Sequence, residues 1–466
     1  MLDRAIAAQG GESLLSDLDQ VRVRLSGPYS TAYAGENPSP NGSPPHITRH
    51  LDITIQKKAD RYSYGSRFDN ADINSTLNGS NSNFTFIYTP DSRFLYFPKI
   101  RKSTSGFAPA SIAGSARFYV PHLIVAELAA NRDQLTWVGE GTLDGHPVDR
   151  IHYATGLSGY RIFLFRSDTG HLVGLERPAV DARRGDIVQR VRITGYHTVA
   201  GQDVPGRFTA GSDKETFYDY QYDEYDLSAA ISDSVYSPPP GYEIIRNTPF
   251  PGRRLRSLTG NVHIYGPTQT MIVEFESEVV VVGLPFDVLE KIREVVGEKP
   301  IRVGIPTHHH DQHVAGMRAF VKAGIPIMTT ARNRAYFDQL ARARFDLDPD
   351  AQSLDPREPV FQIVDDRHVF DDGTTRLEII NIGPVGHADD MYVAYLPKEG
   401  IVFTADLFEF NPEAIPPTVG AYYHDLAVAN LRALKSAVPN ATTLVRAHRY
   451  TMPMAELEAL IDSGSH

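Results

Sequence analysis

Four histidines within six positions dominate the chemistry open to this chain. They lie in Thr307-His308-His309-His310-Asp311-Gln312-His313-Val314-Ala315-Gly316, directly after the strand-like Pro300-Ile301-Arg302-Val303-Gly304-Ile305. In a segment leaving a strand end, alternate side chains share a direction. His308 and His310 can therefore aim at one point and His313 at a second point nearby, while His309 points the other way and reads as a packing residue. Neutral imidazole suits zinc and related transition metals, and a catalytic metal keeps one coordination position open for water. A surface cluster of histidines would show the same run, so the decision falls to residues downstream.

Three downstream segments each set a ligand-type side chain at the end of a short apolar strand, where α/β folds gather their chemistry. Gly386-His387-Ala388-Asp389-Asp390-Met391 precedes Tyr392-Val393-Ala394-Tyr395-Leu396, Ile401-Val402-Phe403-Thr404 ends at Ala405-Asp406, and Thr443-Leu444-Val445-Arg446 runs into Ala447-His448. Asp389 and Asp390 read as a solvated turn rather than as partners of His387. His46, His50, His122 and His171 lie outside any ligand spacing and read as ordinary polar residues. No Gly-x-Ser-x-Gly elbow supplies a serine nucleophile.

The order histidine cluster, Gly-His, apolar strand with Asp, apolar strand with His resembles the metallo-β-lactamase-fold hydrolases over residues 255–466. The resemblance implies an αββα sandwich with one metal on His308, His310 and His387, a second on His313 and His448, and Asp406 bridging them. The first motif of that family is HxHxDH; here Gln312 stands at the aspartate position, with Asp311 beside it. Gln312 is thus carried over as a ligand of the second site, but a neutral and weakly basic one, so that site is expected to bind more weakly than the first. Asp311 is the alternative anion there and a candidate proton acceptor.

The reaction so implied is hydrolysis of an ester, lactone, lactam or thioester by a metal-bound hydroxide, with Asp406 positioning the nucleophile. Zinc, as one ion or two, is the expected metal, with iron or manganese as alternatives. The same resemblance includes mononuclear iron oxygenases, for which His310, His387 and Asp406 would serve. The departure at Gln312 also leaves open a binding protein with a degenerate metal site. Phe408-Glu409-Phe410 and Ala421-Tyr422-Tyr423-His424 either overhang the metals or cap a helix expected over 425–437.

At 466 residues the chain is long for one domain. Its 41% hydrophobic and 22% charged residues are those of a soluble globular protein. A net charge of −11 argues against a nucleic-acid-binding surface, and no apolar run approaches the roughly 20 residues needed to span a bilayer. The expected partner is a small-molecule substrate, with homo-oligomerisation open. The absence of cysteine excludes disulfides, thiolate ligands and cysteine nucleophiles. Met1–Ala8 shows no signal peptide, whereas Ser463-Gly464-Ser465-His466 reads as an engineered linker. Met1 then stands for a removed export signal and the location is periplasmic or secreted; otherwise it is cytoplasmic.

The two halves differ in texture. Residues 1–250 read as a β-rich, largely antiparallel domain, and residues 251–466 as an α/β catalytic domain that supplies every metal ligand. In the first half, Ile6, Leu14, Leu15 and Leu18 keep helical spacing around Gly10-Gly11, a helix is expected over 121–135, and residues 28–45 read as a loop. Strands are expected over 47–56, 60–68, 84–88, 93–97, 135–139, 147–153, 160–166, 171–177, 187–196, 203–210 and 215–226. This pattern, closing at Val235-Tyr236-Ser237-Pro238-Pro239-Pro240-Gly241-Tyr242, resembles the curved sheet of the bacterial lipoprotein-carrier fold. Phe217, Tyr218, Tyr220, Tyr222 and Tyr225 read as a half-buried strand rather than a ligand platform. The Pro-rich stretch 237–252 reads as the linker. In the second half, strands alternate with helices over 286–297, 314–323, 331–343, 425–437 and 453–462, and the Asp- and Pro-rich 345–359 reads as a surface loop.

Overall fold

The computed structural model describes residues 1–29, 47–69, 83–97, 102–105, 116–181, 184–213, 216–246, 254–266, 270–385, 387–408, 421–446 and 451–462. Alternation of buried and wetter residues builds the first half. In Gln20–Tyr29, Val21, Val23 and Leu25 are buried while Arg22 and Arg24 are not, the period-two pattern of a sheet with one face on a core.

Fourteen strands join edge to edge. Their order is Glu243–Arg246, Lys102–Ser105, Arg93–Phe97, Phe84–Tyr88, Arg61–Phe68, Ile47–Gln56, Gln20–Tyr29, Thr216–Asp226, Arg207–Ser212, Gly185–Thr194, Leu172–Asp181, Tyr160–Arg166, His146–Leu157 and Leu135–Leu143. Neighbours are antiparallel except Glu243–Arg246, which runs parallel to Lys102–Ser105. Helices Leu2–Ala8, Gly11–Asp17 and Pro121–Ala130 press Ile6, Leu15, Leu123, Ile124 and Leu128 into the core on the inner face. The edge strand Leu135–Leu143 carries Trp137, the only tryptophan, 58% exposed.

Two expectations need correction here. Pro28 and Tyr29 continue a strand rather than open a loop, because they still pair with Thr48 and Ile47; residues 30–46 lie outside the described part. Glu243–Arg246 is likewise a strand inside the stretch read as linker: the prolines before it turn the chain back onto the sheet edge.

The second half is two stacked sheets. The seven-stranded one runs Leu255–Ser257, Val262–Tyr265, Thr270–Glu274, Val279–Val282, Ile301–Ile305, Ile327–Thr329, Phe361–Ile363. The six-stranded one runs Arg367–Asp371, Arg376–Asn381, Tyr392–Leu396, Ile401–Phe403, Thr443–Val445, Thr451–Pro453. Val279–Val282 shows why layers form. All four valines are fully buried, Val280 and Val282 against the other sheet, Val279 and Val281 against helices Val288–Val296, Met317–Ala323 and Arg334–Arg342. Each such side chain contributes about 1.5–3 kcal/mol. Leu434, Leu457 and Ile461, from Ala421–Ala437 and Met454–Asp462, cover the outer face of the second sheet. The result is the expected αββα sandwich. Among the described residues no strand of one half pairs with a strand of the other, and no helix is long and apolar enough to cross a membrane.

The stretch 345–359 is more than a surface loop. Asp350 caps the short helix Ala351–Leu354 by accepting from Ser353 N. The same carboxylate receives Nε and Nη2 of Arg318 at 2.7 and 2.8 Å, while Arg318 Nη1 donates to the carbonyls of Leu340, Ala341 and Ala343. A nearly buried guanidinium needs such saturation, and it staples the insert down. The first half meets the insert directly: Asp186 N donates to Arg344 O at 3.1 Å, and Asp186 Oδ2 accepts from the amides of Asp346 and Leu347 at 2.8 and 3.0 Å. Gly185, at φ +77°, leaves no room for a Cβ, which would sit 2.0 Å from Arg344 O.

Candidate metal centre

Ile301–Ile305 lies between two parallel neighbours, Val279–Val282 and Ile327–Thr329, so its carboxyl end opens onto the crevice that such sheets offer. The chain then turns through His308–His310 into the single helical turn Asp311–Val314, where His313 N donates to His310 O at 2.9 Å. Leu284 N donates to His313 O and Gly316 N to Leu284 O, an approach so close that a Cβ on Gly316 would stand 2.1 Å from Pro285 O. Tyr392 N donates to Thr307 O at 2.8 Å, which ties the second sheet to the start of the histidine loop. From that second sheet, Ile401–Phe403 ends in Ala405, whose φ of +46° is costly for a residue with a Cβ. Asp406 follows immediately.

These elements bring His308, His310, His387 and Asp406 together. One ligand atom from each lies within 4.8 Å of all the others, and all four residues are buried. His308 Nε2 and His387 Nε2 stand 3.1 Å apart, and Asp406 Oδ2 is 3.8 Å from each. Thr307 Oγ1 lies 3.1 Å from His308 Nδ1; with the ring proton directed there, the Nε2 lone pair faces the cluster. Burial, reinforced by the neighbouring imidazoles, holds His308 and His310 well below the ordinary imidazole range, so both are neutral, the form that binds metal.

The donor set fits a metal ion. Ligands about 2.0–2.1 Å from a tetrahedral zinc lie about 3.3 Å from one another, close to the separation of the two Nε2 atoms. Two ring nitrogens facing at that distance must share either a proton or a cation.

His313 and Gln312 are placed differently. His313 Nε2 is 2.8 Å and Gln312 Nε2 3.0 Å from the same atom, Asp406 Oδ2. A carboxylate can only accept, so Gln312 turns its NH₂ and not its carbonyl to Asp406. Gln312, expected as a ligand through oxygen, is here a donor to the aspartate. The Asp311 side chain and His448 lie outside the described residues, as do the side chains of Tyr422, Tyr423 and His424. His309 packs as expected, edge-on to Tyr336, whose hydroxyl donates to His309 O. Phe408 is buried rather than overhanging, with its carbonyl accepting from Arg446 Nε at 2.7 Å.

Asp389 and Asp390 are not a solvated turn. Asp390 accepts from Thr330 Oγ1 at 2.9 Å and Asn381 Nδ2 at 3.1 Å, Asn381 Oδ1 accepts from the amides of Gly383 and Met391, and Arg332 Nη1 reaches Asp389 Oδ2 at 2.7 Å. The network clasps both ends of the loop that carries His387. Sequence reading missed Thr307, Thr330 and Asn381; the only local signal was a hydroxyl residue adjoining His308.

The family model described as the metallo-beta-lactamase superfamily matches residues 265–448. Those residues form a metallo-beta-lactamase superfamily domain. Solved structures similar to the chain include a metallo-beta-lactamase from Pontibacter korlensis, 19% identical with a TM-score of 0.32, covering 46% of this chain and 92% of the other. The mono-zinc form of FIM-1 from Pseudomonas aeruginosa is also 19% identical with a TM-score of 0.32, covering 46% and 96%. DIM-1 is 17% identical with a TM-score of 0.34, covering 46% and 99%. No curated protein matches the chain. Within the metallo-beta-lactamase domain, His308, His310, His387 and Asp406 can all hold one ion, and the position of Gln312 is where this chain departs from the HxHxDH pattern.

Proposed function

We propose that this protein is a metal-dependent hydrolase with one tightly held ion, zinc, on His308, His310 and His387, acting on a small molecule with an ester, lactone, lactam or thioester bond. The observation that carries this reading is the buried convergence of three imidazoles and one carboxylate, two ring nitrogens standing at zinc-ligand separation. A divalent ion there supplies a Lewis acid that polarises a substrate carbonyl and acidifies water. The chain's own residues do the rest. Thr307 fixes the His308 tautomer. Asp406 Oδ2, beside both His308 and His387, orients a water by accepting its hydrogen bond and receives the proton it gives up. Gln312 and His313 hold that oxygen in place. Burial excludes bulk water, so these interactions act at low local dielectric.

The test is elemental analysis of protein purified without added metal, together with a panel of chromogenic ester, lactone, thioester and β-lactam substrates. About one zinc per chain and hydrolysis of a panel member are expected, both lost in His310→Ala. Full metal content in His310→Ala would sink the ligand assignment. Iron in place of zinc with no hydrolysis would favour an oxygenase, and bound metal with no turnover of any kind a binding protein.

A further inference from the structure

Arg49, on the inner face of Ile47–Gln56, is buried at 8% exposure. Its Nε donates to Ser66 Oγ at 2.9 Å, and its guanidinium carbon lies 5.0, 5.8 and 5.3 Å from the ring centroids of Tyr29, Tyr64 and Phe68. Among the described residues no carboxylate pairs with it. Aromatic faces attract a cation through their quadrupole but bear no net charge, whereas buried charges are ordinarily paired. Ser66 occupies Nε. The Nη edge, faced by the Tyr220 hydroxyl, makes no ion pair among the described residues; it is the fork whose geometry matches a carboxylate.

The surroundings define the rest of the ligand. Tyr220, Tyr218 and Tyr29 stack in sequence with centroids 5.8 and 5.3 Å apart. Tyr220 is fully buried, and its hydroxyl, which makes no normal hydrogen bond, faces the Arg49 guanidinium. Tyr29, Phe68, Phe84 and Tyr218 are only half-buried, so solvent reaches this aromatic end of the sheet. A single cation calls for a monoanion, since a dianion would leave a buried charge of the opposite sign. Walls of ring carbon call for an apolar body.

We propose that the first half binds an organic monocarboxylate, its carboxylate on the Nη edge of Arg49 and its apolar body against Tyr29, Phe68 and Tyr218. The site is independent of the hydrolase reading. Calorimetric titration of the full chain with octanoate, and separately with 1-octanol, tests it. Octanoate should bind more tightly than the alcohol, and Arg49→Gln should weaken it roughly 30-fold or more, the usual result of truncating one partner of a buried charge pair. His310→Ala must retain octanoate binding; loss there would put the carboxylate on the metal centre and overturn the proposal. Equal binding of acid and alcohol, or no binding of octanoate, would overturn it too. If Arg49→Gln does not fold, carboxyl-labelled octanoate on the native protein decides by NMR. Its carboxyl pKa should fall on binding, and an unshifted value counts against Arg49.

Discussion

Asp406 Oδ2 takes hydrogen bonds from Gln312 and His313 while lying 3.8 Å from two imidazole nitrogens. Gln312→Asp would replace a donor by an anion at that oxygen. Two carboxylates about 4 Å apart repel by about 4 kcal/mol at an effective dielectric of 20, and a cation between them reverses the sign. The variant should therefore lose thermal stability in EDTA and regain more than the native protein on adding zinc. It should also bind a second zinc equivalent in chelator competition. If only one equivalent binds, Gln312 is not what weakens the second site. The departure at Gln312 was plain in the sequence. The direction of its amide was not, because that depends on an acceptor 94 positions away.

The loop carrying His387 is clasped by Asp390, Asn381 and Thr330. Asp390→Asn keeps the shape but gives up the charge that Arg332 also approaches at 3.4 Å. Metal affinity should fall by about 10-fold, in the range found when outer partners of metal ligands are changed, with far-UV circular dichroism unchanged. Unaltered affinity would show that the loop holds without the clasp. Candidate site residues such as His308 and Asp406 were legible because each follows a short apolar strand, a pattern local in the chain. The clasp draws on three separated segments with no spacing rule, so Asp389 and Asp390 looked solvated.

The burial of His122 was illegible for a similar reason. Helix Pro121–Ala130 buries it completely against the Tyr225 hydroxyl, 2.8 Å from Nδ1, and desolvation lowers its pKa from 6.5 to about 4. A depressed histidine stabilises the fold above its unfolded pKa, and that contribution is lost as pH falls from about 6.5 towards 4. The shift corresponds to up to about 3 kcal/mol. Denaturant midpoints of the first half should drop across that window, and His122→Gln should flatten the slope.

At the scale of the whole chain, the halves meet through one backbone hydrogen bond, Asp186 N to Arg344 O, and through two insert amides that donate to the Asp186 carboxylate, on an insert that Arg318 anchors. Gly185→Val adds a side chain where φ is +77° and where even a Cβ lands 2.0 Å from Arg344 O. The turn cannot seat. Calorimetry of the variant should resolve two unfolding transitions where the native protein shows stronger coupling, with metal content intact. A single transition at the native temperature would mean that the contact does not couple the halves.

Trp137 sits on an edge strand of the first-half sheet, half open to water, and no other indole exists in the chain. Tryptophan emission is therefore a one-site optical label that nature has placed outside the metallo-beta-lactamase domain. Its native spectrum should be that of a hydrated indole, indifferent to chelation. Any quenching that accompanies ligand addition reports on the large sheet, leaving the metal centre to be watched by other means.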